Sequence, residues 1–223
     1  MLIGVLGGTG PAGQGIAARL AASGHAVILG SRERARAATV VAELRDGWGE
    51  RLARLEPGTN HEAAAAQAVV LATVWDAAVP TATAHADALA GKVLVSIANG
   101  LVRAGREFRA VIPEPGSLAA AVQKAAPTAR VVAAFQHVPA AALGDLDHPL
   151  DGDVLVAGDD DDARDTVSAL VGGMPDLRAF DAGSLANALG IEAFAAALLT
   201  VNLRHRGRAT LHLTGVQPRG EAP

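Results

Sequence analysis

The sequence predicts an α/β fold: a doubly wound, mainly parallel sheet with a small, largely helical C-terminal part. Three observations carry that prediction. Short apolar runs with the length and β-branched content of buried strands recur as far as residue 181. Helical stretches separate them, the alternation from which βαβ units are built. The 223 residues are 50% hydrophobic but only 3% aromatic, with no tyrosine. The core must therefore be made of Ala, Val and Leu, which suits close packing of helices on a sheet.

Residues 2–6 read as the first strand and residues 11–23, rich in Ala, as a helix stopped by Gly24. A second strand follows at 25–30, then a helical region at 31–54. Residues 68–74 form an apolar run that reads as a strand, 76–89 a helix ending at Gly91, and 92–97 the next strand. A helix is expected over 114–125, strands over 130–135 and 153–157, and a helix over 158–171. The run Asp159–Asp162 could suggest a metal site, but carboxylates in a first helical turn favour the helix dipole and cap free amides. Capping is the reading adopted. After a last strand at 177–181, residues 184–204 make the longest helical candidate, apolar on several faces and so expected to be buried. Residues 217–223 have the composition of a tail, expected to be disordered. The predicted division is 1–180 for the main unit and 181–223 for the helical part.

Between the first strand and its helix lies Gly8-Thr9-Gly10-Pro11-Ala12-Gly13, a G-x-G-x-x-G turn in the strand–turn–helix context that gives the pattern meaning. Gly8 is expected to make the tight turn, Gly10 to admit a pyrophosphate, and Gly13 to let helix pack on strand. The helix start then offers amides to the anion, and Pro11 suits a first helical position. This is a Rossmann dinucleotide site. NAD sites usually carry an acidic residue at the end of the second strand. Here that end carries Ser31 and Arg32, groups suited to a phosphate. In a helix opening near Ser31, Arg32 and Arg36 share a face while Arg34 points elsewhere. Ser31, Arg32 and Arg36 are therefore assigned to the 2′-phosphate of NADP. The plainer alternative makes the arginines a solvated face paired with Glu33 or Glu43.

A formal charge of −4, with no long basic tract, argues against nucleic acid as the main partner. The absence of Cys excludes disulfides, thiolate nucleophiles and cysteine-bound metals. No stretch approaches membrane-spanning length free of charge, so a soluble, cytoplasmic protein without membrane partners is expected.

Further segments carry a resemblance. Gly7-Gly8-Thr9-Gly10, Gly24-His25, Leu29-Gly30-Ser31-Arg32, Val138-Pro139-Ala140-Ala141, Leu146-Asp147, Val156-Ala157-Gly158-Asp159-Asp160 and Asp181-Ala182-Gly183-Ser184-Leu185 occur in this order. With them the chain resembles, nearly end to end, the coenzyme F-420-dependent NADP reductases, Rossmann-type enzymes that move a hydride between NADP(H) and an 8-hydroxy-5-deazaflavin. The resemblance implies that Thr9, Gly10, Pro11, Ala12, Ser31, Arg32 and Arg36 hold NADP. It places Thr73, Val74, Ala98 and Asn99 beside the nicotinamide ribose, and the segment from Phe135 to Pro139 and Ala140 as the floor between the two rings. It implies a homodimer to which the C-terminal part contributes while covering the deazaflavin site. The chain departs from the family at Gln136, where His is frequent, at Val74-Trp75, where a Pro usually precedes the Trp, and around 195–197, where a Pro is frequent.

Hydride transfer between stacked rings asks for positioning and dryness rather than for acid–base groups, and none of the residues is assigned as a certain catalyst. The candidate helpers are His137 and Gln136, donating to the deazaflavin carbonyl as charge develops; for His137 the alternative is a residue that satisfies backbone groups in a loop. No metal site is expected. Arg204, Arg206 and Arg208 either attract the anionic deazaflavin tail or are solvated surface. Asn187, Glu192 and Asn202 on the long helix need partners, from the cofactor edge or a second subunit. Two other functions stay open: an NADPH-dependent imine or pyrroline-carboxylate-type reductase, and a non-catalytic NADP-sensing protein.

Overall fold

A computed structural model describes residues 1–218, so of the tail expected at 217–223, residues 219–223 lie outside the described residues. In chain order the elements are β1 (Leu2–Leu6), α1 (Pro11–Ala22), β2 (Ala26–Ser31), α2 (Arg34–Trp48), β3 (Leu55–Thr59), α3 (Asn60–Ala64), β4 (Ala68–Leu71), α4 (Trp75–Ala84) and α5 (Ala86–Leu89). Then come β5 (Val93–Ser96), β6 (Leu101–Ala104), β7 (Glu107–Ala110), α6 (Leu118–Ala125), β8 (Arg130–Ala133) and α7 (Ala140–Leu143). The last are β9 (Gly152–Gly158), α8 (Asp161–Gly172), β10 (Leu177–Asp181) and α9 (Ala188–His205).

Eight strands form one sheet in the order β10-β9-β8-β5-β4-β1-β2-β3. The pairs from β3 to β8 are parallel, β8 meets β9 antiparallel, and β9 and β10 run parallel to each other. The chain reverses its winding between β1 and β4, and the crevice beyond the strand ends at such a switch point is where open α/β sheets take their ligands.

Alternation along the strands sorts the core into two faces. Ile3, Val5, Val70, Val93 and Val95 pack with α1, α2 and α8 on one side. Leu6, Val69, Leu71 and Leu94 pack with α3, α4 and α6 on the other. Gly4 falls on the second face, where a Cβ would lie 1.8 Å from the Ala63 carbonyl oxygen. That contact seats α3 directly on the sheet, a closeness only a small residue permits.

Four features depart from the sequence expectations. Residues 55–59, for which the sequence pattern predicts no element, form the edge strand β3, where Pro57 is tolerated because only β2 pairs with it. Residues 101–110 form the antiparallel hairpin β6–β7. The helix expected at 114–125 begins only at Leu118, where Ser117 Oγ accepts the Ala120 amide. The long helix is not buried all round: Ala188, Ile191, Glu192, Ala195 and Ala196 are covered, but Leu189, Phe194 and Val201 are exposed. By length and composition the stretch Leu185–His205 could cross a membrane. Within it, however, the buried Glu192 carboxylate accepts the Leu118 and Ala119 amides at 2.8 and 2.9 Å and caps α6. Burial pushes this carboxyl above its ordinary range, the two amides acting against that.

The other two polar residues of the long helix also find partners inside the chain rather than from a cofactor or second subunit. Asn187 Nδ2 donates to the Ala182 carbonyl, and Asn202 Oδ1 accepts the Ala209 amide. In the aspartate run, Asp160 caps α8 by accepting the Ala163 amide, and Asp159 accepts the Leu185 amide.

Candidate functional site

A cleft of about 760 Å³ opens at the carboxyl ends of β1, β2 and β4. Its base is the turn between β1 and α1. Gly7, not Gly8, takes the left-handed conformation there, with φ of 71°. The Gly7 amide donates to Asn60 Oδ1 at 3.1 Å. A Cβ on Gly8 would lie 2.8 Å from Leu29 Cγ, and one on Gly13 2.7 Å from the Gly8 Cα, so these two glycines serve close packing. Gly10 faces open space, its nearest neighbour for an added Cβ being 3.9 Å away. The Pro11 start of α1 then presents first-turn amides that have no partner within the helix.

One wall carries Ser31, Arg32, Glu33 and Arg36. Arg34 is turned away, its guanidinium 2.6 Å from Glu62 Oε1 and bonded to the Pro57 carbonyl. Neither Arg32 nor Arg36 has an ion pair or side-chain hydrogen bond among the described residues, so the pairing with Glu33 or Glu43 is not made. Ser31 is buried, with Oγ 3.4 Å from the Glu33 amide. The opposite wall carries Thr73, Val74, Ala77, Pro80, Thr81, Ala84 and His85. Burial and the nearby His61 hold the His85 imidazole below its ordinary pKa. Thr73 Oγ1 is buried with no hydrogen-bond partner among the described residues.

Asn99, Gln136 and His137 lie away from this cleft, in a polar layer beyond β5 and β8. Phe135 adopts φ of 68° and turns the chain out of β8. Asn99 Nδ2 donates to the Gln136 carbonyl at 2.7 Å, and Gln136 Nε2 donates to the Ser96 carbonyl at 2.8 Å. Asn99 Oδ1 and Gln136 Oε1 are buried without a hydrogen-bond partner among the described residues. Ala98 is buried at the same level, while Pro139 and Ala140 open α7. Leu143 of α7 presses on Gly15 of α1, where a Cβ would sit 2.7 Å from Leu143 Cβ. Beneath, buried Arg19 of α1 donates to the carbonyls of Ala142, Leu143, Asp145 and His148.

At His137 the structure shows a contact of the kind the alternative reading describes, a bond to a backbone group. Its Nε2 is 2.8 Å from the Asp153 carbonyl, an acceptor only, so the ring proton sits on Nε2 and is already engaged. Burial pushes its pKa below the ordinary imidazole value. His137 links the segment after β8 to β9, and its Nδ1 is buried without a hydrogen-bond partner among the described residues. Asp153 in turn accepts Arg178 at 2.7 and 2.8 Å, and its side chain is wholly buried.

Asn60 was missed from sequence, although Thr59-Asn60-His61-Glu62 spells a capping box that fixes where α3 starts. Among the basic residues near the C-terminus, Arg208 pairs with Asp145 and Arg204 with Glu107.

Comparison with known proteins fits this geometry. Residues 2–100 match the family model described as NADP oxidoreductase, coenzyme F420-dependent. The F420-dependent NADP reductase of Methanocaldococcus jannaschii is 34% identical over 94% of this chain and 96% of its own length. The chain belongs to the F420-dependent NADP reductase family. A crystal structure of a putative F420-dependent NADP reductase from Arthrobacter sp. FB24 superposes with a TM-score of 0.78 at 28% identity, covering 95% of this chain and 98% of that one. The imine reductase of Streptomyces aurantiacus, at 22% identity and a TM-score of 0.59 over 92% of this chain and 62% of its own, shares the fold alone.

Proposed function

We propose that this protein is an oxidoreductase that transfers a hydride between NADP(H) and coenzyme F-420. Membership of the family supports the reaction. The single observation that carries the choice of pyridine nucleotide is the pair of unneutralised guanidinium groups, Arg32 and Arg36, on one wall of the cleft while Arg34 is tied to Glu62. A guanidinium without an acidic partner beside a buried hydroxyl is a site for a phosphate dianion. The cleft fits the rest of the molecule: its volume is that of a cofactor site, and Gly10 leaves room for a pyrophosphate against the α1 amides.

In this reading Thr9, Gly10, Pro11, Ala12 and the packing of Gly8 and Gly13 hold the pyrophosphate, and Ser31, Arg32 and Arg36 hold the 2′-phosphate. Thr73, Val74, Ala98 and Asn99 border the nicotinamide ribose, with the buried Thr73 hydroxyl as an unsatisfied group there. Phe135, Gln136, Pro139 and Ala140 form the floor under the ring. The bound nucleotide supplies the hydride; the chain orients the two rings and keeps water from them. Gln136, which keeps a second amide hydrogen, is the remaining polar helper near the deazaflavin carbonyl.

We further propose that the protein is soluble and cytoplasmic and works as a homodimer, with the described part of the C-terminal region, residues 181–218, beside the deazaflavin and the exposed Leu189, Phe194 and Val201 against a second copy. Nucleic acid and membrane are not partners in this reading. The decisive experiment follows NADPH oxidation with F-420, read at the deazaflavin absorbance band, against a pyrroline substrate. Turnover of F-420 alone is expected. Turnover of the pyrroline instead would make the protein an imine reductase, and tight NADPH binding with neither turnover a sensor.

A further inference from the structure

The hairpin β6–β7 and the end of α9 together carry six arginines, Arg103, Arg106, Arg109, Arg204, Arg206 and Arg208, against one acid, Glu107, in a chain with a formal charge of −4. All six are exposed. Several contacts hold the elements together, among them the Phe108 amide donating to Thr200 Oγ1 at 2.8 Å and Arg204 Nε donating to the Arg106 carbonyl. Glu107 is already shared by Arg109 and Arg204, and Asp145 takes Arg208. Arg103, Arg106 and Arg206 have no acidic partner among the described residues. Gathering like charges on one surface costs energy through mutual repulsion, so the arrangement points to an anionic ligand.

Its place in the fold says which one. The hairpin leaves the sheet directly after Asn99, and its base is closed by the Val111 amide on the Gly100 carbonyl at 2.7 Å. Arms of four residues carry Arg103 and Arg106 at most about 13 Å beyond that base, at roughly 3.3 Å per residue. We propose that this basic surface is the seat of the phosphodiester and glutamate carboxylates on the side chain of coenzyme F-420, and that it makes the protein select tailed deazaflavins over the bare chromophore. The inference rests on the reaction proposed above. It needs no residue of the nucleotide cleft, and it gives the hairpin, which shares no pair with the main sheet, a task.

The test compares F-420 bearing its glutamate tail with the tail-less 8-hydroxy-5-deazariboflavin, both with NADPH, in the wild type and in the triple variant Arg103→Gln, Arg106→Gln, Arg206→Gln. The wild type is expected to show a lower KM for the tailed form, the difference shrinking as salt rises. The triple variant is expected to raise KM for the tailed form about tenfold at low salt. Its KM for the bare chromophore and for NADPH should stay as they were. Equal KM values for the two deazaflavins in the wild type, or equal losses in the variant, overturn the proposal while leaving the hydride transfer intact. Failure of the wild type to turn over either deazaflavin overturns the reaction itself, and tailed F-420 binding by fluorescence quenching still reads the basic surface. Binding of anionic vesicles or DNA that F-420 does not displace would assign the surface to another partner and overturn the proposal.

Discussion

The two ends of the proposed site are built differently. At the nucleotide end, the residues proposed to meet the ligand lie mainly on two short stretches, 7–13 and 31–36, and what counts is local: a left-handed Gly7, a helix start, a guanidinium pair without acidic partners among the described residues. At the acceptor end, the groups come from β5, β9, β10 and the segments that follow β5 and β8, and they hold one another. Asn99 holds the Gln136 backbone, Gln136 holds Ser96, His137 holds Asp153, and Arg178 holds Asp153 from the other side. One end recognises through free groups, the other through groups already engaged. Substitutions at the first should therefore change which nucleotide binds, and at the second whether the rings are held at all.

The largest expected effect breaks that chain of contacts. Arg178→Ala leaves the fully buried Asp153 carboxylate with the Leu213 amide in place of its ionic partner, at a cost of about 3 kcal/mol. Denaturant unfolding measures it, and F-420 turnover should fall by more than NADPH affinity does. A fall confined to NADPH affinity would show that Asp153 does not support the acceptor floor. Next comes Arg32→Ala, expected to weaken NADPH binding by about 1.5–3 kcal/mol and NADH binding hardly at all. Calorimetry with both nucleotides decides it, and equal losses would remove the 2′-phosphate from that wall. Asn60→Ala, which takes the acceptor from the Gly7 amide, should cost about 1 kcal/mol of affinity for NADPH and NADH alike, because it reshapes the turn beneath the shared pyrophosphate. A loss for NADPH alone would count against a shared seat.

The smallest effect concerns pH. Burial holds His137 below its ordinary value of 6.5, so in acid the unfolded chain takes up this proton more readily than the folded one. Its contribution to stability is full above about 6.5 and declines as pH falls through and below that value. His25 and His85 are shifted in the same direction, so His137→Asn should flatten the acid side of the stability curve only in part. Unfolding midpoints at pH 5 and pH 8 report it, and an unchanged slope would mean that His137 is not buried as described.

This contrast also explains what could be read in advance. The nucleotide end was legible because the glycine turn and Ser31-Arg32 are contiguous and tied to a strand and a helix on either side. That Gly7 rather than Gly8 takes the left-handed conformation was not, since the two glycines are adjacent and the pattern does not distinguish them; a Cβ on Gly7 would also lie 2.7 Å from Thr73 Cγ2. β3 escaped notice because Leu-Glu-Pro-Gly-Thr has one large apolar residue and a proline, a pattern that serves only at a sheet edge. The hairpin escaped because its arginines interrupt every apolar run. His137 looked like a donor because sequence shows the imidazole but not the carbonyl of residue 153 that engages its proton.

Arg19 ties these two ends to a common member. It sits in the last turn of the helix whose first turn faces the proposed nucleotide seat, and its guanidinium gathers four main-chain oxygens, two from α7 and two from the segment after it. Donor and acceptor seats are thus mounted on one strut, and their separation is set by helix length rather than by flexible loops. Redesigning nucleotide preference at residues 31–36 leaves that spacing untouched, whereas inserting or deleting a residue in α1 would shift the spacing and rotate one seat relative to the other by about 100°.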